Sequence, residues 1–176
     1  TVEYSYENRV KYVDIDYDIA SDTEPEFDCG EIPPHIAFTP YLRELAGEIV
    51  GDERNPLKKA RRIYNFITTK VRYSFVREYS TIPNIPEYAA SNLKGDCGVQ
   101  ALLFITLCRI ERIPARWQSG LYVTPYSIGC HDWAEFYVRP YGWMFADPSF
   151  GGSAYRGGNK RRWEFYFGNI DPFRMV

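Results

Sequence analysis

The sequence has few of the side chains that usually hold metals. It contains two histidines and four cysteines among 176 residues, and no two cysteines are spaced as C-x-x-C. A structural zinc site needs about four clustered Cys and His ligands, so we expect no metal. Four cysteines in a chain of this length also argue against a disulfide framework. The chain is long enough to bury a hydrophobic core of its own, and no cofactor is expected.

Long hydrophobic runs and an excess of one charge are also absent. The net charge is −2, which gives no basis for a nucleic-acid partner. No apolar run approaches the roughly 20 residues of a membrane-spanning helix, and no signal peptide is recognisable. The chain begins TVEYSYENRV without an initiator Met, so we interpret it as a piece of a longer protein. Removal of an upstream signal would favour an extracytoplasmic location, but compartment and oligomeric state stay open.

The pattern of polar and apolar residues divides the chain into a lead-in and one larger domain. Polar and apolar residues alternate in parts of 1–19, around Val10, which suggests a strand or an extended segment. Residues 20–40 are rich in Asp, Glu, Pro and Gly and indicate a loop. We therefore predict an extended lead-in over 1–38, which would fit the end of an upstream domain, and a folded domain over 39–176.

Helix-start signals dominate the first half of this domain. Thr39 before Pro40 predicts a helix that ends at Gly51. Asn55 before Pro56 repeats the same start signal. Apolar residues follow both starts at helical spacing, so two amphipathic helices are expected.

A further helix is predicted within GDCGVQALLFITLCRIERI, residues 95–113, with Asp96 as its N-cap. The stretch 99–110 is apolar nearly all round, which is typical of a helix buried at the centre of a domain. Residues 76–94, which contain two prolines, predict a long loop before it.

The second half changes to a strand pattern. Strands are predicted over 115–124, 132–139, 142–147 and 163–168, with a glycine-rich flexible loop over 151–162. Helices followed by antiparallel strands indicate the α+β fold class.

Cys97 has the setting of an activated thiol. It lies in the first turn of the predicted buried helix, directly after Asp96, where free N–H groups and the helix dipole favour an anion. Such positions lower a cysteine pKa from ~8.5 to roughly 3.5–7.5, so we expect a thiolate near neutral pH. Gly95 and Gly98 leave room for a substrate, and the same N–H groups are candidates to hold an oxyanion. Cys108 lies in the apolar run and is expected to be buried.

His131 and Asp147 begin and end a predicted hairpin. A turn centred on Arg139 makes them direct cross-strand neighbours, with Cβ atoms about 4.5–5.5 Å apart; a later closure would shift the register. Asp147 would then orient the imidazole of His131 towards Cys97. A cysteine at a helix start, followed by a histidine and an aspartate at matching hairpin ends, predicts a nucleophilic site.

Four segments resemble the core of the transglutaminase-like superfamily and follow in its order. They are IYNFITTKVRYSF (63–75), GDCGVQALLFITLCRIERIPARWQSG (95–120), HDWAEFYV (131–138) and GWMFADPSFGG (142–152). The matching motifs are the G-D/E-C helix start, P-A-R-x-x-x-G, H-x-W-x-E and G-W…D-P. The resemblance covers about half of the chain.

The resemblance implies a papain-like α+β fold, in which N-terminal helices, including a buried catalytic helix, pack on an antiparallel β-sheet. It implies that 39–176 is a catalytic domain with Cys97 as nucleophile, His131 as general base and then acid, and Asp147 as orienter. Family chemistry runs through a thioester, so a thiol-dependent hydrolase of peptide or amide bonds is expected, as in bacterial cysteine proteases and amidases. Proteins or peptides would be the substrates, with cell-wall peptides as one candidate.

Several points stay open. Acyl transfer from protein glutamine to amines is one alternative function, and a catalytically silent binding or scaffold module is another. The resemblance also implies a second oxyanion donor upstream of the nucleophile, for which Tyr73 and Asn92 are both candidates. The basic run Arg156, Lys160, Arg161 and Arg162 is interpreted as a solvated face, with attraction of an acidic substrate as the alternative.

Overall fold

A computed structural model describes residues 3, 5–7, 9, 11–21 and 25–176 of the chain. This part forms six α-helices: α1 (Pro40–Val50), α2 (Pro56–Lys70), α3 (Ile85–Asn92), α4 (Cys97–Ile110), α5 (Pro148–Arg156) and α6 (Lys160–Phe165). Its strands are β1 (Arg72–Tyr73), β2 (Lys94–Gly95), β3 (Ala115–Val123), β4 (Ile128–Val138), β5 (Gly142–Ala146), β6 (Phe167–Gly168) and β7 (Arg174–Met175).

The predicted helix starts are confirmed. The side chain of Thr39 accepts a hydrogen bond from the backbone N–H of Leu42 at the start of α1, and Asn55 caps two N–H groups of α2. Gly51 ends α1 with a φ of 56°, a left-handed value at which glycine avoids the strain of a Cβ atom. These boundaries depend on groups close in sequence, which is why local signals found them.

Helix α4 forms the centre of the core, as its apolar sequence predicts. Every residue from Gly98 to Arg109 is buried, including Cys108. The helix contacts α1, α2, α3 and α5 on one side and strands β3 and β4 on the other. Because neighbours surround α4, the position of its first residue, Cys97, is fixed relative to the sheet.

The α+β class is confirmed by a five-stranded sheet in the order β6-β5-β4-β3-β7. All of its neighbouring strands are antiparallel. A second, parallel pair joins β1 to β2 and brings Tyr73 opposite Gly95. This short pair places Tyr73 beside the segment that leads into α4.

The loop predicted over 76–94 is wrong in its second half. Tyr79–Thr81 form a 3₁₀ turn, and α3 occupies 85–92. The side chain of Asn84 caps α3, and Pro86 lies in its first turn, where a missing N–H costs nothing. Pro86, which suggested a loop in the sequence, therefore lies at a helix start.

The flexible loop over 151–162 and the strand over 163–168 are also wrong. Helices α5 and α6 occupy most of this region, and only Phe167–Gly168 are extended as β6. Asp147 caps α5 and Pro148 is its first residue. The glycines within α5 serve close packing, because α5 lies against α2 at Gly151.

The lead-in contributes no strand among its described residues, and Tyr17–Ile19 form a 3₁₀ turn. Val10, on which part of the strand prediction rests, lies outside the described residues. Val13 exchanges two hydrogen bonds with the side chain of Asn169, and Ile15 packs against the core. The division into 1–38 and 39–176 stays a prediction.

The close approach of α5 to α2 predicts that Gly151→Ala destabilises the protein. An added Cβ would overlap the hydroxyl of the buried Tyr64, and overpacking of this kind costs about 1–3 kcal/mol in the free energy of unfolding. Urea denaturation measures the loss. Gly47→Ala in α1 is the matched control, since an added Cβ there meets nothing within 4 Å and should stabilise by roughly 0.5–1 kcal/mol. Equal stability of the two variants would contradict this account of α5.

Candidate active site

Cys97 lies at the first position of α4, as predicted. Asp96 is the N-cap, and its Oδ1 accepts a hydrogen bond from the backbone N–H of Val99 at 3.0 Å. The same oxygen accepts a hydrogen bond from the hydroxyl of Tyr79. Two donors therefore hold the carboxylate that caps α4, and the loop carrying Tyr79 closes over the start of the helix.

His131 and Asp147 meet, although not through the register expected. The β4–β5 hairpin pairs Ala134 with Ala146 and Val138 with Gly142, so the turn centres on Pro140 rather than Arg139. Continuing that register would place Asp147 opposite Trp133, so His131, two residues before Trp133, is a diagonal neighbour of Asp147. Diagonal neighbours remain within reach of longer side chains. The Nε2 atom of His131 accordingly lies 2.7 Å from Oδ2 of Asp147.

Asp147 is fully buried and held by three donors. Its Oδ2 accepts hydrogen bonds from His131 and, at 2.8 Å, from Nη2 of Arg174. Its Oδ1 accepts the backbone N–H of Phe150 at 2.9 Å, as the cap of α5. Burial alone would raise the pKa of Asp147, but the hydrogen bond and charge of His131 and the charge of Arg174 outweigh it and lower the pKa. The carboxylate is therefore an anion that can only accept hydrogen bonds.

Arg174 is a site residue that the sequence did not reveal. It lies on β7, its side chain is 3% exposed, and its guanidinium also pairs with Asp171. Its guanidinium carbon lies 4.7–5.9 Å from the centroids of four aromatic rings. These rings belong to Tyr122, Trp133, Phe150 and Tyr166. Nothing in its local sequence indicates this role, because the contact forms only when β7 pairs with β3.

The partner of His131 determines its tautomer. Since the carboxylate of Asp147 is ionised, Nε2 carries the proton, and the lone pair of a neutral ring lies on Nδ1. The ring of Phe150 packs against the imidazole at a centroid distance of 4.4 Å, and that of Trp133 is stacked at 6.1 Å. The orientation of the ring is thus fixed by one strong hydrogen bond and by aromatic packing.

One cavity of about 540 Å³ brings the nucleophile and base candidates together. Cys97 and His131 both line it, while Asp147 lies behind the imidazole in the core. The remaining lining residues are Tyr73, Tyr122, Ser127, Ile128, Gly129, Cys130, Ser149, Phe150, Ser153 and Arg156. The structure therefore unites the three residues that the sequence singled out.

The surroundings of Cys97 disfavour the thiolate that the sequence led us to expect. Burial raises its pKa to about 12, and the carboxylates of Asp132 and Asp96 act in the same direction. The thiol lies 3.7 Å from Oδ2 of Asp132, to which it donates. Backbone N–H groups of Asp132 and Gly98 have the opposite effect: they lower the pKa of Cys97 and favour the thiolate. Burial, together with the two carboxylates, outweighs these N–H groups.

The two candidates for the second oxyanion donor, Tyr73 and Asn92, lie in different places. Tyr73 lines the same cavity as Cys97. Burial is the largest cause that raises the pKa of Tyr73, and the charge of Cys97 is the next largest. Asn92 lies elsewhere: its side-chain amide donates to the carbonyl of Tyr88 within α3. Of the two, Tyr73 is the one that shares a cavity with Cys97.

Residues 43–148 match the model of the transglutaminase-like superfamily. The chain belongs to this superfamily. The resemblance carried by the four sequence segments is thereby confirmed, and the buried helix that begins at Cys97 lies within the matched region.

The chain is also similar to one curated protein and to solved structures. An uncharacterized protein of Haemophilus influenzae is 28% identical over 137 residues, which cover 65% of this chain and 37% of that protein. The structure of a proposed cysteine protease from Cytophaga hutchinsonii is 23% identical, covers 69% of this chain and 46% of that chain, and superposes with a TM-score of 0.53. The periplasmic domain of TgpA from Pseudomonas aeruginosa is 17% identical, covers 74% and 50%, and has a TM-score of 0.56. The two structures show the fold, and the chain spans half or less of each of these proteins.

Two further findings concern metals and membranes. In the described ranges, no three His, Cys, Asp or Glu side chains are grouped so that they could hold a metal ion. Among the same residues, no helix has the length and apolar character needed to cross a membrane.

The contact between Cys97 and Asp132 predicts that Asp132→Asn makes this superfamily member's thiol more reactive. Removing the carboxylate charge removes one cause of the raised pKa of Cys97. The thiolate fraction therefore rises at every pH below that pKa. A tenfold rise corresponds to about 1.4 kcal/mol and is the magnitude we expect. The second-order rate constant for iodoacetamide labelling, followed by peptide mapping because Cys130 is exposed, measures it.

Asp52→Asn is the control for this test, because Asp52 is an exposed residue after α1. It should leave the rate at Cys97 unchanged. Unchanged labelling in Asp132→Asn would show that Asp132 does not hold the thiol protonated.

Proposed function

We propose that this chain is a thiol-dependent hydrolase of peptide or amide bonds that works through a thioester. Cys97 is the nucleophile, His131 the base and then the acid, and Asp147 the residue that orients the imidazole. The observation that carries the proposal is the shared cavity: a sulfur at a helix start and a histidine locked on a buried carboxylate face the same space.

The reaction begins with a proton transfer from the thiol. A substrate carbonyl enters the cavity, and Nδ1 of His131 takes the proton of Cys97 while Nε2 stays bonded to Asp147. The sulfur attacks the carbonyl carbon, and the imidazolium then gives its proton to the leaving amine. Water, deprotonated by the same nitrogen, hydrolyses the thioester and restores the thiol.

The oxyanion that forms on attack needs hydrogen-bond donors. Backbone N–H groups in the first turn of α4 are one source, since they have no partner within the helix. The hydroxyl of Tyr73 is the second source in this proposal, because it lines the cavity and is sensitive to charge on Cys97. The raised pKa of Tyr73 keeps that hydroxyl protonated and able to donate.

Acyl transfer to an amine is the second candidate. The carboxylate of Asp132 lies 3.7 Å from the sulfur, and it pairs with no Lys, Arg or His within 4.0 Å among the residues that the structure describes. An acceptor ammonium would be attracted to it and could lose its proton there before attacking the thioester.

Cys97→Ala should abolish the release of amine or ammonia from a panel of peptide and glutamine substrates. Removing a nucleophile that acts together with its base costs about 10⁴-fold or more in kcat. Adding a labelled primary amine separates the two candidates: incorporation into the acyl product indicates transfer, and free acid alone indicates hydrolysis.

Cys130→Ser is the matched control, because Cys130 is an exposed thiol on the same cavity and takes no part in the proposed chemistry. It should keep parental activity. A Cys97→Ala variant that turns over substrate at the parental rate would overturn the proposal and leave a binding module as the better description.

Tyr73→Phe should lower kcat about 10²–10³-fold with little change in KM, as expected for a donor that acts mainly on the transition state. Steady-state kinetics on any substrate found with the panel measures it. Asn92→Ala is the comparison, since Asn92 lies away from the cavity, and it should have no effect on kcat. A loss of kcat in Asn92→Ala with none in Tyr73→Phe would instead identify Asn92 as the donor.

A further inference from the structure

We propose that Arg156 forms a subsite for a substrate carboxylate in the cavity that contains Cys97. The preferred substrates would then be amides that carry a carboxylate within a few bonds of the carbonyl that is attacked. The inference rests on the proposed function and adds a substrate class to it.

Arg156 is the one basic residue of the run 156–162 that lines this cavity. The structure gives each of the others a different setting. Lys160 pairs with Glu164 on α6, Arg162 donates to the hydroxyl of Tyr166, and Arg161 is exposed. All four basic residues are exposed, as a solvated face requires, and Arg156 differs from the other three in that it also lines the cavity.

Arg156 is exposed, but backbone carbonyls at the end of α2 hold its guanidinium in place. Its Nη1 lies 3.4 Å from the carbonyl oxygen of Thr68 and 3.3 Å from that of Val71, at the end of α2. Gly152 leaves the space that it occupies, since an added Cβ would lie 3.1 Å from Nη2 and 3.3 Å from Nη1. Both hydrogen bonds are long and use one nitrogen, so Nη2 and Nε remain for a ligand.

The charge on Arg156 is not neutralised by the protein. In the described part of the chain, no carboxylate lies within 4.0 Å of its guanidinium. After burial, the charge of Arg72, which has the same sign, is the cause that lowers the pKa of Arg156. A cation that lines a cavity without a counter-ion favours an anionic ligand.

The same face of α5 carries further donors. Ser149, Ser153 and Arg156 are spaced by four and three residues, so they share one side of the helix, and all three line the cavity. A guanidinium with adjacent hydroxyls is well suited to a carboxylate, which accepts two parallel hydrogen bonds from the fork. The rings of Tyr122 and Phe150 provide an apolar surface for the rest of the ligand.

Alkylating probes test the subsite without requiring turnover. One matched pair is N-bromoacetyl-phenylalanine and its carboxamide, which differ in a C-terminal carboxylate. The other is the α-amides of N-bromoacetyl-glutamate and N-bromoacetyl-glutamine, which differ in a side-chain carboxylate. The rate of Cys97 alkylation by each is measured by peptide mapping on the parent, Arg156→Gln and Arg161→Gln.

We expect the acid of at least one pair to alkylate Cys97 about tenfold faster than its amide in the parent, the factor that about 1.4 kcal/mol supplies. Arg156→Gln should remove this preference by slowing the acid alone, and Arg156→Lys should restore part of it. Arg161→Gln should keep the preference, because that residue does not line the cavity. Which pair shows the effect distinguishes a C-terminal from a side-chain carboxylate.

Three results would overturn the subsite: no preference in the parent, a preference that survives Arg156→Gln, or an equal slowing of acid and amide. The last would mean that Arg156 only secures the end of α2. Failure of the proposed function is a separate result, since it appears as absent turnover in the parent or as turnover that survives Cys97→Ala, and alkylation depends on neither.

Discussion

The arrangement of the site depends on one buried carboxylate. Asp147 directly follows strand β5, caps helix α5, bonds the imidazole on β4 and pairs with Arg174 on β7. Three consecutive elements and a strand near the end of the sequence therefore converge on two oxygen atoms. A buried carboxylate is tolerated only when its charge and its lone pairs are satisfied, and three donors meet that condition here. The geometry around the histidine follows from this requirement as much as from the packing of the core.

The neighbours of Cys97 differ in their effect. His131 lines the same cavity, and Asp147 sets the position of its proton. Asp132 accepts a hydrogen bond from the thiol, and its charge adds to burial in raising the pKa of Cys97, whereas its backbone N–H lowers that pKa. Burial and this carboxylate both favour the neutral thiol, and the attack proposed above would require the sulfur to leave Asp132. A substrate that displaces or neutralises Asp132 would promote its own reaction, because it would remove a charge that opposes the thiolate.

The sequence predicted the parts of the site that depend on local signals. Asp96 before an apolar run located the start of α4 and with it Cys97, and the hairpin pattern brought the histidine near its carboxylate. The register was missed by one position at the turn centre, because turn closure depends on φ and ψ values that residue types only bias. Arg174 and Asp132 were not predicted, since their roles come from strand pairing and from the approach of β4 to α4. The Asp147–Pro148 pair is a helix-start signal like Thr39–Pro40. It was not recognised, because the glycines that follow it suggested a loop, whereas in the structure they allow α5 to pack closely against α2.

The hydrogen bond between the thiol and Asp132 has a consequence for redox chemistry. Peroxides and disulfides react with thiolates far faster than with thiols. Burial and the bond to Asp132 both disfavour the thiolate of Cys97 and would slow its oxidation, whereas the sulfur of Cys130 on the same cavity is exposed. In an oxidising environment, the sulfur of Cys97 would remain reduced longer than its more accessible neighbour.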